Sequence, residues 1–174
     1  MTRRLLGTPE ILIDRPRILF VGINPGMTSG RVGHNFAGPG NTFWRLLHAA
    51  RITPELIAPA DDARLADFGY ALVNLCRRTT RAASELTRRE LERGRDRLAV
   101  IVAERQPALI ALVGVTLAPI VLGRDVEPGP GAKRRRFAGA RVFVVPNPSG
   151  LNATFATFDA KLVWFRKLAR ASRR

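Results

Sequence analysis

Arg17-Ile18-Leu19-Phe20-Val21-Gly22-Ile23, followed at once by Asn24-Pro25-Gly26, is the stretch that decides the fold. A short run of branched and aromatic residues reads as a buried strand, and Asn-Pro-Gly ends it abruptly. The signature recurs at Tyr70 to Leu75, at Ala108 to Val113 and at Arg141 to Val145, the last closing on Pro146-Asn147-Pro148. Helical segments lie between. A Gly-rich loop runs to about Gly40, and Asn41 reads as the N-cap of a helix that begins Thr42-Phe43-Trp44-Arg45-Leu46-Leu47. Asp61 or Asp62 starts a short helical turn. Thr87 to about Glu104 is a charged amphipathic helix, with Thr87 and Glu90 forming a capping box. Gly114 turns the third strand into a short helix, and Phe155 to Arg170 is the closing helix.

Strands that are apolar throughout and alternate with helices predict a parallel sheet covered on both faces. The expected fold is therefore α/β, a three-layer α/β/α sandwich with a central, mostly parallel sheet of four to five strands. The segment Gly123 to Gly139 is rich in Gly and Pro and carries Lys133-Arg134-Arg135-Arg136, so it reads as an exposed loop. There is no internal repeat, and residues 1–174 read as a single domain, expected to be monomeric.

The charge balance narrows the partner. Lys and Arg number 29 against 14 Asp and Glu, a net charge of +15, and a field of that sign attracts polyanions, of which nucleic acid is the commonest. Neither end carries a basic amphipathic anchor, no apolar run could span a bilayer, and Glu10 and Asp14 interrupt any signal-peptide pattern after Arg3 and Arg4. The single cysteine, Cys76, forms no internal disulfide and no Cys-based metal site, and reads as a small buried apolar residue. Two histidines, His34 and His48, without clustered acids make no metal centre, and no cofactor is expected. The expected compartment is a prokaryotic cytoplasm, in association with the nucleoid.

In sheets of this kind ligands bind outside the carboxyl ends of the strands. Two loops leave such ends with unusual chemistry: Gly22-Ile23-Asn24-Pro25-Gly26, and Asn147-Pro148-Ser149-Gly150-Leu151-Asn152. The first lacks the glycine spacing of a dinucleotide site and the Lys-Ser/Thr of a P-loop. Its distinctive feature is an amide held between Ile23 and Pro25, able to bond a water but not to take its proton at neutral pH. No acidic residue lies between Gly22 and Asn41 or between Pro146 and Asn152, so both loops lack a strong general base. Taken singly, Asn24 is also compatible with a tight turn, Phe36 with a core aromatic and Leu151 with a core leucine.

Together these stretches resemble a family. Gly22-Ile23-Asn24-Pro25-Gly26, then Gly33-His34-Asn35-Phe36-Ala37-Gly38-Pro39-Gly40-Asn41 and Phe43-Trp44, resemble the mismatch-specific uracil-DNA and thymine-DNA glycosylases of the uracil-DNA glycosylase superfamily. Asn147-Pro148-Ser149-Gly150-Leu151 is similar to the second motif of the bacterial mismatch-specific branch, and Asn74-Leu75-Cys76-Arg77-Arg78-Thr79-Thr80 is nearer the thymine-DNA glycosylase side. The resemblance runs from about Arg17 to the closing helix.

The resemblance implies a monofunctional DNA glycosylase of base excision repair. It would flip uracil, and by extension thymine or ethenocytosine, from mispaired double-stranded DNA and hydrolyse the N-glycosidic bond to leave an abasic site. It implies that Asn24 holds the attacking water, Phe36 stacks on the flipped base, and Asn74 lies near the base edge. Ile23, Ser29 and Asn147 line the same pocket, with His34 a further candidate beside it. Leu151 occupies the wedge position, flanked by Ser149, Gly150 and Asn152 on the DNA side. Lys133, Arg134 and Arg135 offer a phosphate clamp. After the wedge this chain has Asn152-Ala153, where the bacterial branch usually places an arginine, so reading of the widowed base is expected to be weak. Without a general base, cleavage is expected to be dissociative and slow. Three alternatives stay open at this point: a uracil-DNA glycosylase of broader specificity, a catalytically inactive DNA-binding module, and a nucleoside hydrolase on the same kind of sheet.

Overall fold

The computed structural model describes residues 7–150 and 154–173. Five strands form one sheet in the order β2-β1-β3-β5-β4. Strand β1 (Ile18–Gly22) lies between β2 (Tyr70–Asn74) and β3 (Leu109–Val113), parallel to both. Strand β5 (Ala140–Val145) continues the parallel set, and β4 (Gly131–Phe137) closes the edge antiparallel to β5. All five residues of β1 and of β3 are buried, as expected of strands covered on both faces.

Alternation within β1 divides the core. Ile18 and Phe20 face a layer made by α2 (Phe43–Ala49) and α5 (Phe158–Ala171), through Phe43, Leu46, Leu162 and Phe165. Leu19 and Val21 face α3 (Arg88–Arg105) and α4 (Leu117–Leu122), through Leu98, Val102, Leu117 and Val121. The three-layer α/β/α sandwich expected from the sequence is the observed fold. Because successive strands leave β1 toward opposite sides of the sheet, the carboxyl ends of β1 and β3 bound a switch point, the usual place for a ligand crevice. The short α1 (Met27–Val32) follows β1 directly. No helix among the described residues is long and apolar enough to cross a membrane.

Three sequence expectations need correction. The supposed loop at Gly123 to Gly139 contains β4, with Lys133, Arg134 and Arg135 inside the strand. An edge strand protected by charge has no apolar alternation to betray it, and that same charge discourages pairing with another chain. The closing helix starts at Phe158, three residues after Phe155, because the Thr157 hydroxyl accepts from Ala160 N–H at 3.1 Å. Helix α2 starts at Phe43 with Thr42 at the N-cap position, and Asn41 caps from one residue earlier, its Oδ1 accepting from Phe43 N–H at 3.0 Å. The helical turn expected at Asp61 or Asp62 is present: within the 3-10 segment Pro59–Phe68, Asp61 is the non-helical kink and the buried Asp62 opens the second part.

Helix α3 starts as expected, with Thr87 and Glu90 in a reciprocal capping box. Glu90 also accepts from Arg78 at 2.6 and 3.0 Å, and Arg78, then Thr87, push its pKa down to about 2. Gly94 lets the helix lie on the chain leaving β2, since a Cβ there would sit 2.4 Å from the Leu75 carbonyl oxygen. Alanine would gain about 1 kcal/mol of helix propensity. It would meet a backbone atom that cannot swing aside, and overpacking of that kind costs about 1–3 kcal/mol. Gly94→Ala is therefore expected to lower the urea midpoint despite its better propensity, with the m-value unchanged; a raised midpoint would show that the helix can shift freely.

Candidate functional site

The carboxyl ends of β1, β2, β3 and β5 surround an open cleft of about 360 Å³, with Gly22, Asn74, Val113 and Asn147 among its lining. Ile23, Asn24, Ser29, Phe36 and Ser149 line it as well. Every residue the sequence assigned to the base pocket thus meets at one place. Among the described residues the lining contains no Asp, Glu, His or Lys, and its one ionised side chain is the exposed Arg81.

The first loop is laced to the segment after β2. Leu75 N–H donates to Gly22 O, Cys76 N–H to Ile23 O and Thr80 N–H to Pro25 O, at 2.8, 2.8 and 3.1 Å. Asn24 joins the lacing with its amide nitrogen only. Nδ2 reaches the carbonyl of Arg78 at 2.9 Å, the hydroxyl of Thr80 at 2.7 Å and the carbonyl of Pro25 at 3.3 Å. Thr80 Oγ1 spends its own proton on Ala82 O, so it must accept from Asn24. A carbonyl cannot donate, so these partners fix which end of the amide is nitrogen. Asn24 Oδ1 accepts no hydrogen bond from the described residues and remains an acceptor in the cleft. The Arg78–Glu90 pair at the start of α3 supports this geometry from behind.

Phe36 sits in the left-handed region with φ of +50°, a conformation that costs a bulky residue energy and persists only where its surroundings impose it. Bonds on both sides impose it. Asn35 N–H donates to the Asp62 carboxylate at 2.8 Å, and Asn35 O accepts from Trp44 Nε1 at 3.0 Å. Ala37 N–H donates to Ser29 Oγ at 3.0 Å. Ser29 is therefore a brace for the Phe36 turn as well as a lining residue. The Phe36 ring stacks on Phe43, centroids 4.0 Å apart and planes 23° apart, and Phe43 packs edge-on against Phe20 of the sheet.

Asn74 ends β2 in register with Gly22. A Cβ on residue 22 would lie 2.4 Å from Asn74 Oδ1, so only glycine admits the amide at that edge of the cleft. Asn74 Nδ2 donates to Thr8 Oγ1 at 3.1 Å and to Asn35 Oδ1 at 3.4 Å.

The second loop is tethered from two sides. Pro148 O accepts from both the backbone N–H and the hydroxyl of Thr42, at 3.0 and 2.9 Å. Ser149 O accepts at 2.8 Å from Lys161, which is 2% exposed and whose pKa burial lowers. Asn147 Oδ1 accepts from Ser149 N–H at 2.9 Å and shapes the turn. Gly150 is exposed at the end of this loop, while Leu151 and Asn152 lie outside the described residues. His34 faces the Asp62 carboxylate, Nδ1 to Oδ1 3.4 Å, and does not line the cleft.

Lys133, Arg134 and Arg135 do not line it either. Lys133 Nζ donates to Glu127 O and Gly129 O, at 2.7 and 2.8 Å, and Arg135 is paired with Asp125 at 2.7 Å. Arg134, 96% exposed, has Glu127 at 3.7 Å.

Sequence reasoning missed Asn35, Thr8, Thr80, Arg81, Asp62 and Lys161. Asn35 and Thr80 stood inside the motifs of the resemblance and could have been singled out, Asn35 as a second amide; the others are brought in by tertiary packing. Arg97 is a further case. It donates to Asn74 O and forms an ion pair with Glu10, which also pairs with Arg77 at 3.1 Å, so the segment bearing Thr8 and Pro9 is clamped to the end of β2.

A family model described as the uracil DNA glycosylase superfamily matches residues 9–169. Among solved structures, a solution NMR structure from Methanosarcina acetivorans, provisionally named a uracil DNA glycosylase, is similar to this chain over 97% of its length and 99% of that chain. The two share 23% sequence identity and superpose with a TM-score of 0.65, a likeness of fold.

Burial raises the Glu10 pKa, but the Arg77 and Arg97 guanidiniums outweigh it and hold the carboxyl below its ordinary value of 4.5. A folded-state pKa below the unfolded one gives stability that is present above pH 4.5 and is lost as pH falls through the folded value. Glu10→Gln should therefore melt below the parent in urea at neutral pH, and the gap should narrow under acid conditions. A gap that stays constant with pH would remove the ion pair from the account.

Proposed function

The chain belongs to the uracil DNA glycosylase superfamily, and on that premise we propose that it excises uracil from mispaired duplex DNA with Asn24 holding the attacking water. Membership makes the protein a DNA N-glycosylase, a hydrolase of DNA repair that acts on DNA. The finer reading rests on one observation: the Asn24 amide is locked with its nitrogen toward Arg78, Thr80 and Pro25, so its oxygen accepts in a cleft with no acid in its lining.

An amide oxygen can hold one water hydrogen but cannot take the proton away. The bond between C1′ and the base nitrogen must then break first, its electron pair leaving with the base and the sugar becoming oxocarbenium-like. The water held by Asn24 adds to C1′, and its proton passes to the departing base or to solvent. Such a route favours a base that is stable as an anion, and uracil suits it better than thymine. Phe36, stacked from behind by Phe43, offers its ring to the flipped pyrimidine, and Asn74 meets the base edge. Leu151 is proposed as the wedge, carried by a loop whose Pro148 and Ser149 carbonyls are tied down by Thr42 and Lys161.

The sequence also favours a broader substrate range, because Asn152-Ala153 supplies no arginine for the widowed base. On that reading the opposite base is met only through backbone groups of the wedge loop, and uracil opposite guanine, opposite adenine and in a single strand should be cleaved at similar rates. A strict preference for guanine would return the protein to the mismatch-specific reading.

Asn24→Ala should lower the single-turnover rate on a G·U duplex by about 10²-fold or more while binding the duplex nearly as well as the parent. Cleavage by Asn24→Ala at the parent rate would refute the water-holding role.

A further inference from the structure

Among the described residues Asp62 is the one buried carboxylate that touches the first motif, and glycosidic cleavage does not employ it. It is 3% exposed, lies in the 3-10 segment Pro59–Phe68, and is far in sequence from either site loop. Its Oδ2 accepts from both the backbone N–H and the side-chain Nδ2 of Asn35, at 2.8 and 2.9 Å. A carboxylate is not placed in an interior to no purpose, since burying an ionised group is costly unless it is well paired.

We infer that Asp62 is a specificity-positioning residue, which acts through Asn35 to hold Asn74 with its amide oxygen toward the flipped base. The polarity of the chain follows from which groups can donate. Asp62 Oδ2 and the Pro9 carbonyl only accept, so the Asn35 nitrogen must face both, the second at 3.0 Å. Asn35 Oδ1 is thereby turned to Asn74, and accepts from Asn74 Nδ2 at 3.4 Å. The other Nδ2 hydrogen of Asn74 goes to Thr8 Oγ1. With both hydrogens used, Asn74 presents Oδ1 alone, at the place where Gly22 makes room for it.

An acceptor at that position selects a base by the character of its ring nitrogen. Uracil and thymine carry a ring N–H that can donate to it. Cytosine has an acceptor there, and two acceptors face to face repel. A site built to hydrogen-bond one group rejects an analogue that lacks it far more strongly than an apolar pocket rejects a change of size. The same carboxylate also holds the peptide before Phe36, so Asp62 serves the stacking platform and the base edge together. This inference rests on the glycosylase reading, since it concerns which base that site accepts.

The test compares single-turnover excision of uracil opposite guanine with that of cytosine opposite adenine, in the parent, Asp62→Leu, Asp62→Asn and Asn35→Ala. Asp62→Leu removes the acceptor at nearly equal volume. Asp62→Asn can keep an oxygen toward Asn35 and turn its new amide nitrogen toward His34, so it serves as the conservative rescue. Asp62→Leu and Asn35→Ala should each lower the uracil-to-cytosine ratio by about tenfold or more, the equivalent of one hydrogen bond. Asp62→Asn should hold the ratio near that of the parent. If Asp62 acts through Asn35, the Asp62→Leu/Asn35→Ala double variant should have the same ratio as Asn35→Ala alone.

A merely structural role would slow both bases by one factor and leave the ratio unchanged, which would overturn the inference while the glycosylase reading stood. Should Asp62→Leu fail to fold, Asp62→Ala takes its place as the variant that removes the acceptor, with the same drop in the ratio expected. A folded parent that releases neither base would instead overturn the glycosylase reading, and this inference with it.

Discussion

The parallel register that sets Gly22 of β1 beside Asn74 of β2 is the constraint on which the site depends. It places the chain leaving β1 next to the chain leaving β2, and the backbone bonds from Leu75, Cys76 and Thr80 then stitch the two together. Asn24 finds its donors' partners only because Arg78 and Thr80 are delivered by that stitching. A slip of one residue would turn every side chain of β2 to the other layer. It would also carry the Asn74 amide away from the one position where the neighbouring strand has no Cβ. The buried alternation of Leu72 and Val73 against opposite layers makes such a slip expensive, so the hydrophobic core sets the position of two polar groups at its rim.

Those polar groups are then held by bonds that leave a chosen atom unspent. Asn24 gives its nitrogen to the protein and keeps its oxygen for the cleft. Asn74 does the same through Thr8 and Asn35. A side-chain amide is well suited to this use, because fixing one end by acceptors fixes the other by exclusion. The cost appears elsewhere, as a phenylalanine in a left-handed conformation and as a carboxylate removed from water. Strain of order 1–3 kcal/mol at a residue lining the cleft is tolerable where neighbouring bonds impose the geometry, and here Asp62, Trp44 and Ser29 supply them.

Much of this was legible in the sequence, and the limits have physical causes. Buried parallel strands are nearly continuous apolar runs, so β1, β2, β3 and β5 declared themselves, as did the Thr87–Glu90 capping box. The pocket residues were legible because loops with Gly, Pro and Asn in fixed order form backbone turns that few other residues could make. Strand β4 was hidden because an edge strand has only one neighbour to bond and, when charged, no apolar period. Asp62, Thr8 and Lys161 were hidden for another reason. Each belongs to the site through a partner distant in sequence, Asn35, Asn74 or Ser149, and nothing local to an aspartate, a threonine or a lysine announces that the chain will return to it. The basic run at residues 133–136 shows the converse. Its charge was conspicuous, yet three of its members, Lys133, Arg135 and Arg136, are spent within their own edge of the sheet, on Asp125 and on backbone carbonyls.

The placement of charge divides the labour of DNA recognition. With a net charge of +15, the protein attracts a polyanion from any direction, and neutralising phosphates yields affinity that falls with salt and carries no information about sequence. Arginines behind the site are already committed to structure, Arg78 to Glu90 and Arg97 to Glu10. The cleft itself is lined by neutral amides, an aromatic ring and backbone, with Arg81 exposed at its edge. This separation has a chemical reason. A lysine or arginine deep in the cleft would stabilise a leaving anion of any base and so weaken discrimination, and a carboxylate there would repel the anion that a dissociative route must form. Neutral groups avoid both, and on the proposed dissociative route a slower reaction is the expected cost. On the proposed reading, the strong charges outside the cleft bring the duplex in, and the choice among bases falls to amides whose orientation the fold has already decided.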